Sequence, residues 1–215
     1  MLNARYKHLS SNSNRRYFYS NVKHELFRKS IHVFGFLVPF ISITAGIAFA
    51  VSLIVSLGII YSISEYFRLK GRSIPLFTTV TKMAMRNDNN DERQNVFVKA
   101  PLYFAAGILI SLLIFPFPFN YVAIAVVTLG DGFASVVGRM FGKHKIPYSG
   151  GRTIEGTAAG IVCAFAGAML FTSPTVALMA ALTGMAIELV QLRISDNLTV
   201  PFASGFAATI VGSNI

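Results

Sequence analysis

The stretch VFGFLVPFISITAGIAFAVSLIVSLGIIYSIS, residues 33–64, contains no Asp, Glu, Lys or Arg. Three further uncharged runs cover residues 100–130, 156–187 and 197–215. Of the 215 residues, 53% are hydrophobic and only 13% are charged, whereas a typical soluble domain has about 25% charged residues. Long uncharged apolar runs are typical of transmembrane helices. The sequence therefore predicts an all-α, polytopic membrane protein.

The first three runs are too long to be single spans. A straight helix over such a run would be ~48 Å long, whereas the hydrocarbon core is ~30 Å thick. Each run also has a helix-breaking segment near its middle, namely TAG at 44–46, PFPFN at 116–120 and TSP at 172–174. We expect each of these runs to form a helical hairpin and the last run to form one span. This gives about seven transmembrane helices, with six as the alternative.

The positive charges indicate how the chain is oriented. Of the nineteen Lys and Arg residues, seven lie in 1–29, seven in 68–99, four in 139–152, and the last is Arg193. With a cytoplasmic N-terminus, all of them lie on the cytoplasmic side, as the positive-inside rule requires. The net charge of +10 then reflects topology and contact with anionic headgroups or phosphates. We expect no nucleic-acid partner.

The same pattern predicts the domain organisation. Residues 1–30 form a cytoplasmic N-terminal segment, in which 15–31 have the spacing of a basic amphipathic helix lying at the membrane surface. Residues 31–215 form a single transmembrane catalytic domain. Its two long cytoplasmic loops cover 68–99 and 138–155.

Four of the nine acidic residues lie at the cytoplasmic ends of predicted spans: Glu65, Asp131, Glu188 and Asp196. A carboxylate at the membrane boundary has a desolvation cost, which makes it a candidate functional residue. Glu65 has a local ion-pair partner in Arg68, three residues further on. Asp131 and Asp196 have no such neighbour. Hard oxygen ligands beside phosphates suit Mg²⁺.

Residues 130–157, GDGFASVVGRMFGKHKIPYSGGRTIEGT, contain seven glycines and five Lys, Arg or His residues. Glycine permits close backbone approach, and basic and hydroxyl side chains bind phosphates. Thr153 or Thr157 can begin the next helix, whose N-terminus would attract anions. Neither a Walker A motif nor a G-x-G-x-x-G motif is present, and a plain basic connector is the alternative. The candidate nucleotide-binding residues are Gly130, Asp131, Ser135, Gly138, Arg139, Gly142, Lys143, Lys145, Gly151, Arg152, Thr153, Glu155, Gly156 and Thr157.

Three motifs resemble one known family. GDGFASVVGRMFGKHKIP followed by GGRTIEGTAAG resembles the nucleotide loop of the CTP-dependent lipid kinases, the dolichol kinase and phytol kinase family, which is related to phosphatidate cytidylyltransferases. ELFRKSIHVFG at 25–35 resembles the family's E-L-x-R-K-x-x-H-x-x-G, and ELVQLRISDNLTVP at 188–201 resembles its E…DNL-x-x-P element. The family's K-S/T-x-E-G is R-T-I-E-G at 152–156. The chain lacks the Gly-His-Gly-Gly run of the cytidylyltransferases, which favours the kinase branch.

The resemblance implies the reaction CTP + lipid alcohol → CDP + lipid phosphate at the cytoplasmic face. It implies that Asp131, Asp196 and Glu155 bind Mg²⁺. Asp131, Asp196 and Glu188 are the catalytic candidates, and either Glu188 or Asp196 would accept the hydroxyl proton. The residues expected to place the lipid's polar end or the transferred phosphate are Arg28, Lys29, His32, Glu65 and Asn197.

Two other functions stay open at the level of sequence. A CTP:lipid-phosphate cytidylyltransferase would use the same loop, with attack on the α-phosphate of CTP. A transporter or scaffold would need ionisable groups at mid-membrane depth, and the acidic residues instead gather at one predicted face. The sequence does not distinguish dolichol or another polyprenol from phytol or diacylglycerol, and it does not specify an oligomeric state.

Overall fold

The computed structural model describes residues 26–72 and 96–214. Within those residues every regular element is helical, apart from one isolated antiparallel bridge between Lys145 and Thr153. The all-α prediction is thus confirmed. The elements are α1 (26–34), α2 (Leu37–Ala45), α3 (Ile47–Leu69), α4 (Ala100–Ile114), α5 (Phe119–Ala125), a π-helical turn (Val126–Gly130), α6 (Asp131–Phe141), α7 (Ile154–Ala168), α8 (Pro174–Leu189) and α9 (Asp196–Gly212).

The three predicted helix breaks are all present. Gly46 has a φ of +90° between α2 and α3, a conformation that residues with a side chain rarely adopt. The PFPFN segment separates α4 from α5. Pro174 is the first residue of α8, where its missing N–H leaves no hydrogen bond unmade.

Three helical segments are long and apolar enough to cross a membrane: Leu26–Ala45, which includes the turn at 35–36, Ile47–Leu69 and Phe119–Phe141. Helices α4, α7 and α8 are also apolar, but each is shorter, at roughly 23 Å of helix for 15 residues. These helices fit a membrane protein. The count of seven spans stays a prediction.

The centre of the molecule is the helix that begins with α5. Its residues 122–127 are at most 1% exposed, and α4, α7, α8 and α9 all pack against α5 and the π-helical turn or against one of them. A helix that is apolar on every side is expected in such a central position. It carries Asp131 into the interior of the protein.

The helix that carries Asp131 continues to Phe141, so the first four residues of the loop predicted at 138–155 are helical. The end of the fourth membrane span near Asp131 stays a prediction. Here glycines serve helix packing, not a loop. A Cβ on Gly138 would lie 3.0 Å from Thr153 Oγ1, and a Cβ on Gly132 would lie 3.1 Å from Val33 Cγ2. Helix α6 therefore approaches both α1 and the start of α7 closely.

The small residues of α7 pack against α6 and its neighbours. Gly156, Gly160, Ala164 and Ala168 are all buried. A Cβ on Gly160 would lie 2.8 Å from the Cβ of Ala134. Small residues at this spacing allow helices to approach closely in a membrane.

Two predictions extend beyond the described residues. Of the proposed amphipathic helix at 15–31, residues 15–25 lie outside them, and the remainder is helical. Of the cytoplasmic loop at 68–99, residues 73–95 lie outside them. The flanking helices end at Leu69 and begin at Ala100, which agrees with the predicted edges of that loop.

Candidate active site

The first half of the site is a buried ion pair between two helices. Asp131, the first residue of α6, accepts a 2.5 Å hydrogen bond at Oδ2 from Lys29 Nζ of α1. Their side chains are 6% and 4% exposed. His32 Nδ1, nearly one turn beyond Lys29, lies 3.4 Å from the same oxygen, and its ring stacks on Phe104 with the centroids 4.1 Å apart. The sequence predicted Asp131, Lys29 and His32 as separate site residues, but it did not predict that they contact one another.

The second half of the site is built around Arg152. Its Nη2 donates to Asp196 Oδ2 at 2.6 Å, and its Nη1 lies 4.0 Å from Asp131 Oδ1. The same guanidinium forms an ion pair with Glu188. Carboxylates from α6, α8 and α9 thus converge on one side chain, and the planar fork of arginine suits such multiple pairing.

A short hairpin holds Arg152 in this position. The backbone N–H of Ile146 donates to the Arg152 carbonyl at 2.9 Å, and that of Ile154 donates to His144 at the same distance. Gly150 and Gly151, just before Arg152, have φ values of +70° and +90°. Glycine adopts this conformation without strain, so these residues allow the chain to turn back towards the acids.

The two most buried carboxylates of the cluster each have a cation beside them. Glu188 is only 2% exposed and pairs with Arg152, and Asp131 pairs with Lys29. A buried carboxylate is costly unless it is paired with a cation. The two ion pairs therefore offset the cost of burying these acids.

A cavity of about 580 Å³ opens beside the cluster. This volume lies within the range of small-molecule sites, roughly 300–1,000 Å³. The lining combines cations, hydroxyl groups, glycines and two of the acids. The residues are Arg28, Ala134, Ser135, Gly138, Arg139, Ser149, Gly150, Gly151, Arg152, Thr153, Thr157, Glu188, Val190, Gln191, Leu192, Ile194, Ser195 and Asp196.

Thr153 begins α7 at the edge of this cavity. Its Oγ1 accepts a hydrogen bond from the Gly156 N–H at 3.2 Å, which makes it the N-cap. Of the two helix starts that the sequence allowed, Thr153 is the one present. Because Thr153 and Thr157 both line the cavity, the positive end of the α7 dipole lies beside it and favours anions.

Several predicted nucleotide residues lie elsewhere. Lys143 and Lys145 are exposed on the hairpin and do not line the cavity. Glu155 accepts from His144, with Nδ1 and Oε1 2.6 Å apart. Gly142 and Gly156 lie where α6 meets the start of α7, so their role in the structure is close packing. Gly130 packs beside Met185 and Ala164.

Two of the predicted substrate residues connect helices. Glu65 accepts from Arg68 through both oxygens, at 2.8 and 2.7 Å, and from the Val98 N–H at 2.8 Å. It thereby joins α3 to the approach to α4. Asn197 donates to the Ala100 carbonyl at 3.4 Å, which joins α9 to α4.

The connection between α8 and α9 belongs to the motif at 188–201, but the sequence did not indicate that its residues line the site. Val190, Gln191, Leu192, Ile194 and Ser195 all line the cavity. The available signal was the polar Gln191 and Ser195, which interrupt the apolar pattern between two candidate acids.

The donor chemistry of the cluster fits Mg²⁺, which prefers carboxylate oxygens. In this conformation Arg152 pairs with Glu188 and Asp196 and lies 4.0 Å from Asp131. Among the described residues no group of three His, Cys, Asp or Glu side chains is arranged to hold a metal ion. Arg152 therefore contacts the same carboxylates that a Mg²⁺ ion at this position would bind.

Comparison with known proteins places these residues in context. The sequence model of the cytidylyltransferase family matches residues 40–196, a range that includes Asp131, Arg152, Glu188 and Asp196. An uncharacterized protein of Methanocaldococcus jannaschii is 35% identical over 189 residues, which cover 85% of this chain and 91% of that protein. No solved structure matches the chain.

Plant proteins form a second group of relatives. A probable chloroplastic phytol kinase of Triticum aestivum is 26% identical over 60% of this chain and 50% of its own length. Chloroplastic phytol kinase 1 of Arabidopsis thaliana is 25% identical over 59% of this chain and 48% of its own length. The chain thus spans about half the length of these phytol kinases. The resemblance seen in the three motifs is confirmed at the level of the family.

Proposed function

We propose that this chain, which belongs to the cytidylyltransferase family, transfers the γ-phosphoryl group of CTP to the hydroxyl of a membrane lipid alcohol. The products are CDP and the lipid monophosphate. The observation that carries the proposal is the convergence of Asp131, Glu188 and Asp196 on Arg152 beside a cavity of about 580 Å³. The names of the phytol kinase relatives support a kinase of lipid alcohols.

The cavity offers the triphosphate a set of cations. Arg28, Arg139 and Arg152 line it, together with the N-terminal residues of α7. Phosphoryl transfer depends mainly on positioning and on neutralising charge on the transferred group. Arg152 is suited to this role because it can exchange its carboxylate partners for phosphate oxygens, which accept the same bidentate pairing.

The reaction itself exchanges one P–O bond for another. The alcohol oxygen attacks the γ-phosphorus, the bond between that phosphorus and the β–γ bridging oxygen breaks, and CDP leaves. The hydroxyl proton passes to Glu188 or Asp196, which both line the cavity. Lys29 and His32 hold the Asp131 carboxylate in place from the side of α1.

Asp131 and Asp196 would hold Mg²⁺. When bound there, the ion would neutralise negative charge on the β- and γ-phosphates. Glu155, the third ligand suggested by the resemblance, pairs with His144 instead, and the proposal does not need it.

The acceptor belongs to the isoprenoid alcohols, with phytol and the polyprenols, including dolichol, as the first candidates. Such a molecule keeps its apolar chain in the bilayer and offers one hydroxyl at the membrane boundary. The positive-inside pattern supports a reaction at the cytoplasmic face.

A second candidate function is transfer of the CMP group to a lipid phosphate, with release of pyrophosphate. The description of the matching family favours it. The same arginines would bind the triphosphate, but the attacked atom would be the α-phosphorus.

The test is product analysis with the purified protein in lipid nanodiscs containing Mg²⁺ and phytol, a polyprenol or diacylglycerol. We expect CTP, and not ATP, to give a lipid monophosphate that mass spectrometry identifies. A CDP-lipid formed only from added lipid phosphate would replace the kinase by the second candidate.

A further inference from the structure

A second space, an apolar groove, borders Lys29 of the Asp131–Lys29 pair. Its volume is about 530 Å³, and α1 and α6 form its walls. The walls are mainly apolar side chains, among them Phe27, Val33, Phe133 and Val136. The polar side chains in the lining are those of Lys29 and Ser30. The hydroxyl of Ser30 donates to backbone carbonyls of its own helix.

Lys29 gives this groove one polar end. The residue is 3% exposed, and its ammonium group donates to Asp131. Asp131 in turn lies 4.0 Å from Arg152, which lines the cavity. The Asp131 carboxylate therefore lies near both spaces, because Lys29 lines the groove and Arg152 lines the cavity.

Neighbouring residues of helix α1 line the two spaces. Successive residues of an α-helix project about 100° apart. Arg28 lines the cavity, and the next residue, Lys29, lines the groove. Arg28 and Lys29 thus line two different spaces.

We propose that this groove binds the apolar chain of the acceptor alcohol, with its hydroxyl at the Lys29–Asp131 end. The inference rests on the proposed kinase function, and it names the surface that selects the acceptor. A long apolar molecule with one small polar end matches a groove with apolar walls and one buried ion pair. CTP would lie in the cavity that Arg152 lines. The acceptor and the triphosphate would then both lie beside the Asp131 carboxylate.

Filling the groove tests the proposal. Val136→Trp places an indole among the residues that line the groove. Val162→Trp is the matched control, because Val162 lies on α7 and is 64% exposed. We expect Val136→Trp to raise the KM for the alcohol at least tenfold, while the KM for CTP changes less than twofold. Val162→Trp should change neither constant. An unchanged KM for the alcohol in an active Val136→Trp enzyme would overturn the proposal.

A second measurement tests, in the wild-type protein, whether phytol occupies the groove. A phytol analogue with a diazirine on its chain is photo-crosslinked in nanodiscs, and the adducts are mapped by mass spectrometry. We expect adducts on α1 and α6 that unlabelled phytol displaces but phosphatidylcholine does not. Adducts spread over other helices, or adducts displaced equally by phosphatidylcholine, would show an ordinary lipid surface instead. A wild-type protein that fails to make lipid phosphate contradicts the kinase function, whereas the adduct map tests the groove by itself.

Discussion

Asp131 and Glu65 are both buried, and each forms an ion pair with a cation, but their roles in the structure differ. Asp131 contacts Lys29 and lies in the acid cluster beside the cavity. Glu65 binds Arg68 and a backbone N–H on the approach to α4. The sequence placed both at the ends of predicted spans, and their different roles became visible only through their partners.

Asp131→Asn and Glu65→Gln form a matched pair that separates catalysis from stability. Asp131→Asn removes the carboxylate partner of the buried Lys29, and Glu65→Gln removes that of the half-buried Arg68. Breaking a fully buried pair typically costs about 3–5 kcal/mol, and the half-buried pair should cost less. We expect both to lower the unfolding temperature in nanodiscs. Only Asp131→Asn should lose turnover, by roughly 10²-fold or more, because it alters charge stabilisation at the reacting phosphate.

The measurements are thermal unfolding, CTP binding and lipid phosphate formation on the same preparations. Binding of CTP shows that a variant is folded. Equal loss of turnover in the folded Glu65→Gln variant would place Glu65 in the mechanism, and full turnover in Asp131→Asn would remove Asp131 from it.

At the scale of elements, the contact between α6 and α7 positions the site. A Cβ on Gly156 would lie 2.5 Å from the Ala134 carbonyl oxygen and 2.8 Å from Gly138 Cα. Both neighbours are backbone atoms, which cannot move aside as a side chain can. The start of α7, and with it Arg152, depends on this close approach.

Gly156→Ala should therefore destabilise the protein by about 1–3 kcal/mol, the usual cost of overpacking. Gly58→Ala in α3 is the control, because a Cβ there meets no atom within 4 Å and alanine is favoured over glycine in a helix by about 1 kcal/mol. Thermal unfolding of the two variants measures the difference. Equal stability of the two would show that the helices are not in close contact at Gly156.

The sequence predicts the helix breaks well because Gly and Pro act locally. It also brings Asp131, Glu188 and Asp196 to one region, since all three lie next to predicted span ends. The sequence began the second cytoplasmic loop at residue 138, whereas the helix continues to Phe141, because glycine in a sequence can mean either a turn or a close helix contact. The pairing of Lys29 with Asp131 joins residues 102 positions apart, and no local pattern reports such a contact.

At the scale of the whole molecule, ion pairs among the described residues join elements at their predicted cytoplasmic ends. Arg152, just before α7, meets Glu188 near the end of α8 and Asp196 at the start of α9. Glu65 and Val98 similarly join the end of α3 to the approach to α4. The turns at Gly46 and Ser173 contain no charged residue. This division agrees with the orientation that the positive-inside rule predicts.

Cysteine labelling tests that orientation. In a Cys163→Ser background, Ser173→Cys lies at an exposed turn before α8 and Lys143→Cys lies on the exposed hairpin after α6. We expect a membrane-impermeant maleimide to label the second site from the cytoplasmic side and the first from the opposite side. Labelling of both sites from one side would contradict the arrangement of α7 as a spanning helix.

The most direct test of the central claim follows the phosphorus atom. The protein in nanodiscs with Mg²⁺ and phytol or a polyprenol receives CTP labelled at either the α- or the γ-phosphate. The account predicts that γ-label enters the lipid and α-label remains in CDP. Entry of α-label into a lipid phosphate, with no γ-label in any lipid, would show cytidylyl transfer and contradict the account.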